Sequence, residues 1–304
     1  MEVKEKLITN VKLRLEAFGY DTRRYETADF DLIAVKRRES SSTLPALLMK
    51  VLGNIDALTE RQAGVLHKLS GALSYLACVV GLRSRCGRLE EGVIYFRFGI
   101  PSFTPNTLER VVEGRTSVIR FRGGLFMSID PERLKKARMR AGLSQSQLAR
   151  LVGVSKKNVY EHEKRIKPAR VEVVKRMEAI LGERITIGQV SPRPLVNYGA
   201  PRLDRDVRFV DENLKRLGFS TLPLASRLLE LLASYEVNVF TSIASRREAE
   251  MKAEEIAKFT DQTGEKTLLV TESKLGEKYG VPSLTFEEIS KLSTAKELLE
   301  LLSS

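Results

Sequence analysis

The stretch LSQSQLARLVGVSKKNVYEHEK, Leu143 to Lys164, constrains the fold of this 304-residue chain more than any other segment. Ser144 is a residue type that caps helix N-termini, and Gln147, three residues later, can return the hydrogen bond in a capping box. Gly153 permits a tight turn, and Ser155 is a second candidate N-cap. The stretch therefore predicts two short helices joined by a turn that contains glycine.

The apolar residues of the same stretch indicate how the two helices pack. Leu148 and Leu151 are predicted to face inward, and Ala149 is small where a second helix must cross closely. Val159 on the second helix is predicted to pack back towards Leu148. A helix pair of this kind can bind DNA or serve as a protein-binding module.

These residues resemble the lambda-repressor/Cro-type helix-turn-helix superfamily. The likeness extends over residues 129–182, and it implies that the second helix of the pair enters the major groove of DNA. The matching positions are Arg138, Gly142, Leu143, Ser144, Gln145, Leu148, Ala149, Gly153, Val154, Ser155, Val159, Glu163, Pro168, Leu181 and Gly182.

The resemblance implies a set of DNA-contacting residues. The start of the first helix is expected to bond a phosphate, the first turn of the second helix to read bases, and the basic residues after it to neutralise phosphates. Arg138 and Glu163 match a family pair that ties the second motif helix to the first helix of the domain. The implied DNA-contacting residues are Gln145, Ser155, Lys156, Lys157, Asn158, Tyr160, Glu161, Lys164, Arg165 and Lys167.

The net charge of +12 is unevenly distributed along the chain. Residues 130–182 hold 14 Lys/Arg against 6 Asp/Glu, whereas residues 201–304 hold 15 against 18. A basic excess on the segment that carries the motif favours a polyanionic partner there. The centre of the chain is therefore expected to bind double-stranded DNA, and the C-terminal part has no electrostatic reason to touch it.

Alternating helix and strand patterns flank the motif on both sides. The predicted fold class is mixed α/β, with a central all-α five-helix helix-turn-helix domain between two small α/β units. We predict an α/β domain over residues 1–124, the helical domain over 125–185, a Pro-rich linker over 186–200 and a second α/β domain over 201–304.

A recurring phrase indicates that the two α/β units are copies of one unit. FGIPSFTPNTL, Phe98 to Leu108, recurs as YGVPSLTFEEI, Tyr279 to Ile289, and LEAFGYDT is matched by LKRLGFST. The order of predicted helices and strands is the same around both phrases, in which Gly-x-Pro-Ser is interpreted as a turn. Chance recurrence of short Gly/Pro turns is the alternative.

The first α/β unit resembles the PD-(D/E)xK nuclease fold, as in Holliday-junction resolvases. Asp31 and Lys50 match its first acid and its lysine, Glu16 lies in the opening helix, and Leu48 stands where the middle acid belongs. Hydrolysis of a phosphodiester with Mg²⁺ needs at least two clustered carboxylates. The unit is therefore expected not to cut DNA, unless Asp29 substitutes as a ligand, and the C-terminal copy offers no acid-x-Lys.

Composition argues against metal, cofactor and membrane classes. Cys78 and Cys86 with His67 and His162 give no zinc spacing, and no Gly-rich phosphate loop is present, so no metal or cofactor is predicted. The charged start MEVKEKLITN is no secretory signal, and no apolar run is long enough to span a bilayer. A cytoplasmic location without membrane contact is expected.

The complete layout resembles a family of archaeal helix-turn-helix transcriptional regulators whose function is itself inferred from that motif. The expected function is a sequence-specific, non-catalytic DNA-binding regulator that acts as a homodimer, with the α/β units as a route to pairing. An unidentified protein partner or effector is expected at the C-terminal unit. The alternatives are a Mg-dependent structure-selective nuclease related to Holliday-junction resolvases and an antitoxin-like interaction protein.

Overall fold

A computed structural model of the chain describes residues 2–37, 44–115, 118–121, 123–188, 203–272 and 276–302. Helices pack against two β-sheets, and the mixed α/β class predicted from the sequence is confirmed. Most of the predicted Pro-rich linker, residues 186–200, lies outside the described residues. No helix in the described ranges combines the length and the apolar character that a membrane crossing requires.

The elements fall into three groups along the chain. The N-terminal group is α1 (Glu2–Ala17), β1 (Tyr20–Arg24), β2 (Leu32–Lys36), β3 (Leu47–Asn54), α2 (Glu60–Leu73), β4 (Leu76–Ser84), β5 (Gly87–Arg88), β6 (Val93–Arg97), β7 (Ile100–Phe103), α3 (Pro105–Val112), β8 (Val118–Phe121) and β9 (Gly124–Ile129). The central group is α4 (Pro131–Arg140), α5 (Gln145–Val152), α6 (Lys156–Lys164), β10 (Lys167–Arg170) and α7 (Val171–Leu181). The C-terminal group is α8 (Arg205–Arg216), β11 (Ser220–Pro223), β12 (Leu231–Ser234), β13 (Asn238–Ala244), α9 (Ala249–Thr263), β14 (Lys266–Thr271), α10 (Gly276–Tyr279), β15 (Ser283–Thr285), α11 (Phe286–Lys291) and α12 (Ala295–Leu301).

The first sheet has ten strands and runs from the N-terminal unit into the central one. Its order is β1-β2-β3-β4-β7-β6-β8-β9-β10, with β5 paired to β4. β1, β2 and β3 are antiparallel neighbours, while β3, β4 and β7 are parallel. α1 buries Leu7, Val11 and Leu15, which lie on one face of the helix, in a cluster with alternate residues of β3 and β4.

The central unit differs in detail from the five-helix, all-α domain predicted from the sequence. The continuously described residues 125–185 contain four helices, and two of their segments are strands: β10 pairs antiparallel with β9. Pro168 in β10 explains the difference, because proline lacks an N–H for a helix and is tolerated in an edge strand. β10 is the last strand of the sheet.

The second sheet repeats the arrangement of the first. Its order β11-β12-β13-β14-β15 has the same sequence of two antiparallel and two parallel pairings as β1-β2-β3-β4-β7. In both recurring phrases a glycine with positive φ, Gly99 or Gly280, is followed by a short strand and then by a threonine N-cap, Thr104 or Thr285. The predicted Gly-x-Pro-Ser turn is thus a turn followed by a strand, and the topology agrees with duplication.

The two copies pack against each other within the chain. Side chains of α2 and α9 share one buried cluster that includes Leu66, Phe240 and Phe259. The polar contacts are reciprocal: Lys68 on α2 donates to the carbonyl of Pro223 at 2.5 Å, and Lys258 on α9 donates to that of Arg24 at 3.1 Å. The pairing of α/β units expected between two chains therefore occurs here inside one.

Candidate nucleic-acid interface

The motif predicted from the sequence forms two capped helices. The hydroxyl of Ser144 accepts a hydrogen bond from the N–H of Gln147, and the side-chain oxygen of Gln147 accepts one from the N–H of Ser144, so the capping box is present. Gly153 ends α5 with φ +77°, a left-handed conformation that favours glycine. Ser155 then caps α6 by accepting from the N–H of Asn158 at 3.2 Å.

A small apolar cluster holds α6 in place. Leu148, Ala149 and Val152 of α5 and Val159 of α6 are buried together with residues of α4 and α7. The prediction that Leu151 faces inward is wrong: it is 58% exposed, because Val152, one residue further round the helix, takes the inward position.

An ion pair between α4 and α6 lies beside this cluster. The Nε of Arg138 is 2.5 Å from Oε1 of Glu163, and only 12% and 6% of the two side chains are exposed. The amide of Gln145 donates to the same carboxylate at 2.7 Å. Burial opposes ionisation of Glu163, but the hydrogen bonds from Arg138 and Gln145 prevail and lower its pKa below the ordinary value. This arrangement fixes the orientation of α6, and it already uses one N–H of Gln145, a predicted phosphate ligand.

The leading turn of α6 is open to solvent. Ser155, Lys156 and Lys157 are exposed, and neither lysine makes an ion pair in the described part of the chain. Neighbouring lysine ammonium groups without carboxylate partners attract phosphates and the hydrogen-bond acceptors on base edges. The turn is not covered by either α/β unit.

Six of the ten predicted DNA-contacting residues line one shallow groove of about 430 Å³ along α6. They are Ser155, Lys157, Asn158, Glu161, Arg165 and Lys167. Within the groove, Nη2 of Arg165 lies 2.7 Å from Oε2 of Glu161, so these two residues are paired with each other in the free protein. A base or phosphate that engages either of them has to compete with this pair.

The remaining predicted residues lie outside the groove lining. Lys156 is on the exposed turn, and Gln145 is held by Glu163. Nζ of Lys164 stands 4.7 Å from the ring centroid of Tyr160, a cation–π contact on the exposed side of α6. The ten residues therefore lie on α5, α6 and β10 or at the two caps of α6, and some of them already contact other side chains of the protein.

His162 points away from this surface. It is almost fully buried, and burial, followed by the nearby Lys167, lowers its pKa below the ordinary value. A neutral buried imidazole is a packing residue rather than a DNA ligand.

The carboxylate at the nuclease-like position of the N-terminal unit is surrounded by positive charge. Asp31, immediately before β2, has Oδ1 at 2.7 Å from Nζ of Lys4 and Oδ2 at 3.3 Å from Nζ of Lys50. Oδ2 also accepts from the N–H of Val51 at 2.8 Å. Two ammonium groups thus surround the carboxylate that would have to bind a cation. Glu16 is not near this position; it pairs with Lys12.

Asp29, the substitute ligand considered from the sequence, has a different role. It is buried and accepts from Nη2 of Arg61 at 2.5 Å and from the N–H of Arg227 at 2.8 Å. Arg227 belongs to the C-terminal unit, so Asp29 holds the two units together. In the described ranges, no three His, Cys, Asp or Glu side chains are placed so that they could hold a metal ion.

The C-terminal copy contains an acid–lysine pair that the sequence reasoning missed. Glu230 precedes β12 as Asp31 precedes β2, and it accepts from the N–H of Ile243 at 3.0 Å as Asp31 does from Val51. Its ammonium partner is Lys252, which comes from α9 and not from a strand. Burial raises the pKa of Glu230 to about 7 against the opposing effect of Lys252. The search for acid-x-Lys along one strand could not find a lysine supplied by a helix.

A lambda-repressor-type helix-turn-helix unit joined to a paired, nuclease-like α/β body defines the class of protein. Comparison with known proteins agrees: residues 4–117 match the PD-(D/E)XK superfamily domain, and residues 134–187 match the helix-turn-helix family.

Curated relatives match over nearly the whole chain. One from Pyrococcus furiosus is 31% identical over 98% of this chain and 97% of its own length, and one from Thermococcus gammatolerans is 32% identical over 98% and 96%. A third, from Methanocaldococcus jannaschii, is 28% identical over 89% and 87%. All three carry the name "Putative HTH-type transcriptional regulatory protein". The chain belongs to this family of archaeal proteins. No solved structure matches it.

Proposed function

We propose that the protein is a transcriptional regulator that binds a specific sequence of double-stranded DNA through α6 and has no catalytic activity. The observation that carries the proposal is the exposed leading turn of α6, where Ser155, Lys156 and Lys157 project from a helix fixed by a buried core. A rigid helix with free donors at its first turn suits recognition of base edges in the major groove. The names of the archaeal relatives support the same function.

We assign the residues around this turn two kinds of role. We propose that the side chains that line the groove next to the turn, above all Lys157 and Asn158, contact base edges. We propose that Lys164, Lys167 and the second amide N–H of Gln145 contact phosphates, which fix the register of the protein on DNA without reading its sequence.

Selection of bound duplexes from a random pool, followed by affinity measurements, tests the proposal. Lys156→Ala combined with Lys157→Ala should weaken binding to the selected site by at least tenfold more than binding to random DNA, because base contacts are lost as well as charge. Arg246→Ala combined with Lys296→Ala removes the same charge from exposed positions of the C-terminal unit and should change both affinities little. Failure to enrich any sequence would reject sequence-specific binding.

The non-catalytic part of the proposal rests on the charge around Asp31. Metal-dependent hydrolysis needs a cation at a cluster of carboxylates, whereas Lys4 and Lys50 already neutralise this one and Leu48 is buried at the middle position. We expect no cleavage of branched or linear duplexes in the presence of Mg²⁺. Cleavage that disappears on Asp31→Ala would establish a nuclease instead.

We also propose that DNA binding uses two chains, since helix-turn-helix proteins of this type commonly bind paired half-sites. Because α2 and α9 are already paired within one chain, the contact between chains has to use another surface. Sedimentation of the protein with and without the selected duplex tests this: a complex of one chain per duplex, with a selected site lacking twofold symmetry, would refute it.

A further inference from the structure

A cavity of about 850 Å³ lies between the N-terminal α/β unit and the helix-turn-helix unit. Arg110 on α3 and Arg115 just after it line one wall; Arg133 on α4, Lys175 on α7 and Arg184 after α7 line the other. We propose that this junction cavity binds a small phosphorylated molecule of the nucleotide class, which acts as an effector of DNA binding. The effector role rests on the proposed function, whereas the binding site does not.

The charge of the junction cavity is strongly one-sided. Its five cationic residues face a single carboxylate, Glu178, whose Oε1 accepts from the N–H of Ile185 at 3.1 Å and from the hydroxyl of Thr186 at 3.4 Å. Among the described residues, Glu178 thus holds the segment after α7 instead of pairing with a cation. A concave surface with this excess of guanidinium and ammonium groups attracts phosphate groups, for which arginine provides paired donors.

Three of the five cations are available to a ligand. Arg115 lies 2.8 Å from a carboxylate oxygen of Glu113, and Arg133 lies 3.4 Å from one of Asp130. The others, Arg110, Lys175 and Arg184, make no ion pair within the described ranges of the chain. Because these three come from both walls, an anion between them would neutralise charge that the protein itself leaves unpaired.

A helix terminus adds to the positive potential at the junction cavity. Val171, the first residue of the 11-residue helix α7, lines the cavity. The N-cap residue of α7, Arg170, makes no side-chain hydrogen bond to the helix. The first N–H groups of a helix lack intrahelical acceptors and carry a partial positive charge, which favours a bound anion.

Four apolar side chains also line the junction cavity, and they limit the class of ligand that fits it. Val118, Leu125, Met127 and Val171 are half-buried along the cavity. A ligand with an apolar or planar part as well as phosphates, such as a nucleotide, would contact both the cationic and the apolar lining. A bare phosphate chain would leave the apolar lining exposed to water. The volume also falls within the range of small-molecule sites, roughly 300–1,000 Å³. Double-stranded DNA is too wide to enter this cavity, since its major groove alone is about 12 Å across. DNA is therefore expected to bind on an open face of the protein.

The position of the junction cavity explains how a ligand would affect DNA binding. Its walls belong to both units, and none of the residues lining the groove along α6 lines this cavity. A ligand that contacts both walls stabilises one orientation of the helix-turn-helix unit relative to the α/β unit. If that orientation differs in its affinity for DNA, ligand and operator are coupled, and the coupling is reciprocal.

Calorimetry on the full chain without DNA tests the binding site, with the four ribonucleoside triphosphates and tripolyphosphate as probes. At least one triphosphate should bind saturably at one per chain and more tightly than tripolyphosphate. Lys175→Glu combined with Arg184→Glu should weaken binding at least tenfold. Lys136→Glu combined with Arg176→Glu, which alters the same charge at exposed positions of α4 and α7 outside the cavity, should leave binding within twofold.

The possible outcomes separate this inference from the proposed function. Absence of saturable binding, or equal weakening in both double variants, overturns the site. Equal affinity for tripolyphosphate and the triphosphates overturns the nucleotide class in favour of free polyphosphate. If no triphosphate binds and the cavity variant loses affinity for every DNA sequence alike, the cavity is a contact for the DNA backbone. If a triphosphate binds but operator affinity does not change in its presence, the effector role is overturned. Failure of DNA binding alone leaves the site intact.

Discussion

The ion pair between Arg138 and Glu163 is expected to stabilise the orientation of α6, and removing its acid gives a quantitative test. Glu163 accepts from Arg138 at 2.5 and 3.1 Å and from Gln145 at 2.7 Å. Removing one partner of a buried pair costs about 3–5 kcal/mol, whereas an exposed pair is worth less than about 1 kcal/mol. Arg138 keeps a hydrogen bond to the carbonyl of Leu143 at 2.7 Å, so Glu163→Ala should cost about 2–3 kcal/mol.

Hydrogen exchange measures this loss where it occurs. The amides of α6 should exchange faster in Glu163→Ala by the factor that corresponds to about 2–3 kcal/mol, while those of α9 serve as an internal reference. The pKa of Glu163 is lowered from the ordinary 4.5, so the pair contributes fully above about pH 4.5 and is lost as the pH falls through the lower value of the folded state. The difference between the wild type and Glu163→Gln should therefore be constant from neutral pH down to about pH 5 and shrink below pH 4.5.

Two controls separate the buried pair from a general effect of charge. Glu161→Ala removes a carboxylate two residues away whose partner, Arg165, is exposed, and it should cost less than about 1 kcal/mol. Arg138→Met combined with Glu163→Leu replaces both charges by apolar side chains and should recover part of the loss. Equal costs for Glu161→Ala and Glu163→Ala would refute the reasoning.

Three further predictions concern other parts of the fold. Gly153→Ala forces an alanine to φ +77° and should destabilise the central unit by about 1 kcal/mol in denaturant titration; an unchanged midpoint would contradict this. The pKa of His162 is lowered from 6.5, so below that pH the imidazole binds a proton in the unfolded chain more readily than in the folded chain. Stability therefore falls as the pH drops below 6.5. His162→Phe should lose less stability than the wild type between pH 7 and 5, and parallel pH profiles would argue against burial as the cause. Asp29→Ala removes the buried acceptor of Arg61 and should expose the contact between the α/β units to proteolysis at a cost of about 2 kcal/mol; unchanged cleavage kinetics would show that apolar packing alone holds them.

The features that the sequence predicts well are those with local causes. The capping box at Ser144, the left-handed Gly153 and the cap at Ser155 all depend on residues within one turn of each other, and the structure has each of them. Burial depends on contacts beyond one turn, so the sequence pattern predicts Leu151 in the core, whereas Val152 occupies that place. A rotation of about 100° per residue separates the two positions on a helix, so an error of one residue changes the face.

The features that escaped prediction depend on contacts that are distant in sequence. β10 is a strand because β9, about 40 residues earlier, offers it an edge to pair with. Lys252 joins Glu230 across about 20 residues and from a helix, so no strand motif contains both. The residues of the predicted DNA-binding surface could be named from the family spacing, but the pairing of Glu161 with Arg165 follows only from their side-chain geometry.

Both copies of the α/β unit have a carboxylate immediately before their second strand, and in both its contacts need no metal. Asp31 and Glu230 each accept from a backbone N–H of the neighbouring strand, β3 or β13, and each contact a lysine ammonium. Glu230 contacts Lys252 of α9, whereas Asp31 contacts Lys50 of β3 as well as Lys4 of α1. The lysine can differ between the copies while the acid stays if the carboxylate mainly accepts the backbone N–H of the neighbouring strand. It then needs only some positive charge nearby. Since the two copies also pair within the chain, each such pair presents one helix-turn-helix unit, not two. If two recognition helices bind one DNA site, as proposed, the second therefore has to come from a second chain through a contact that the paired α/β units do not already occupy.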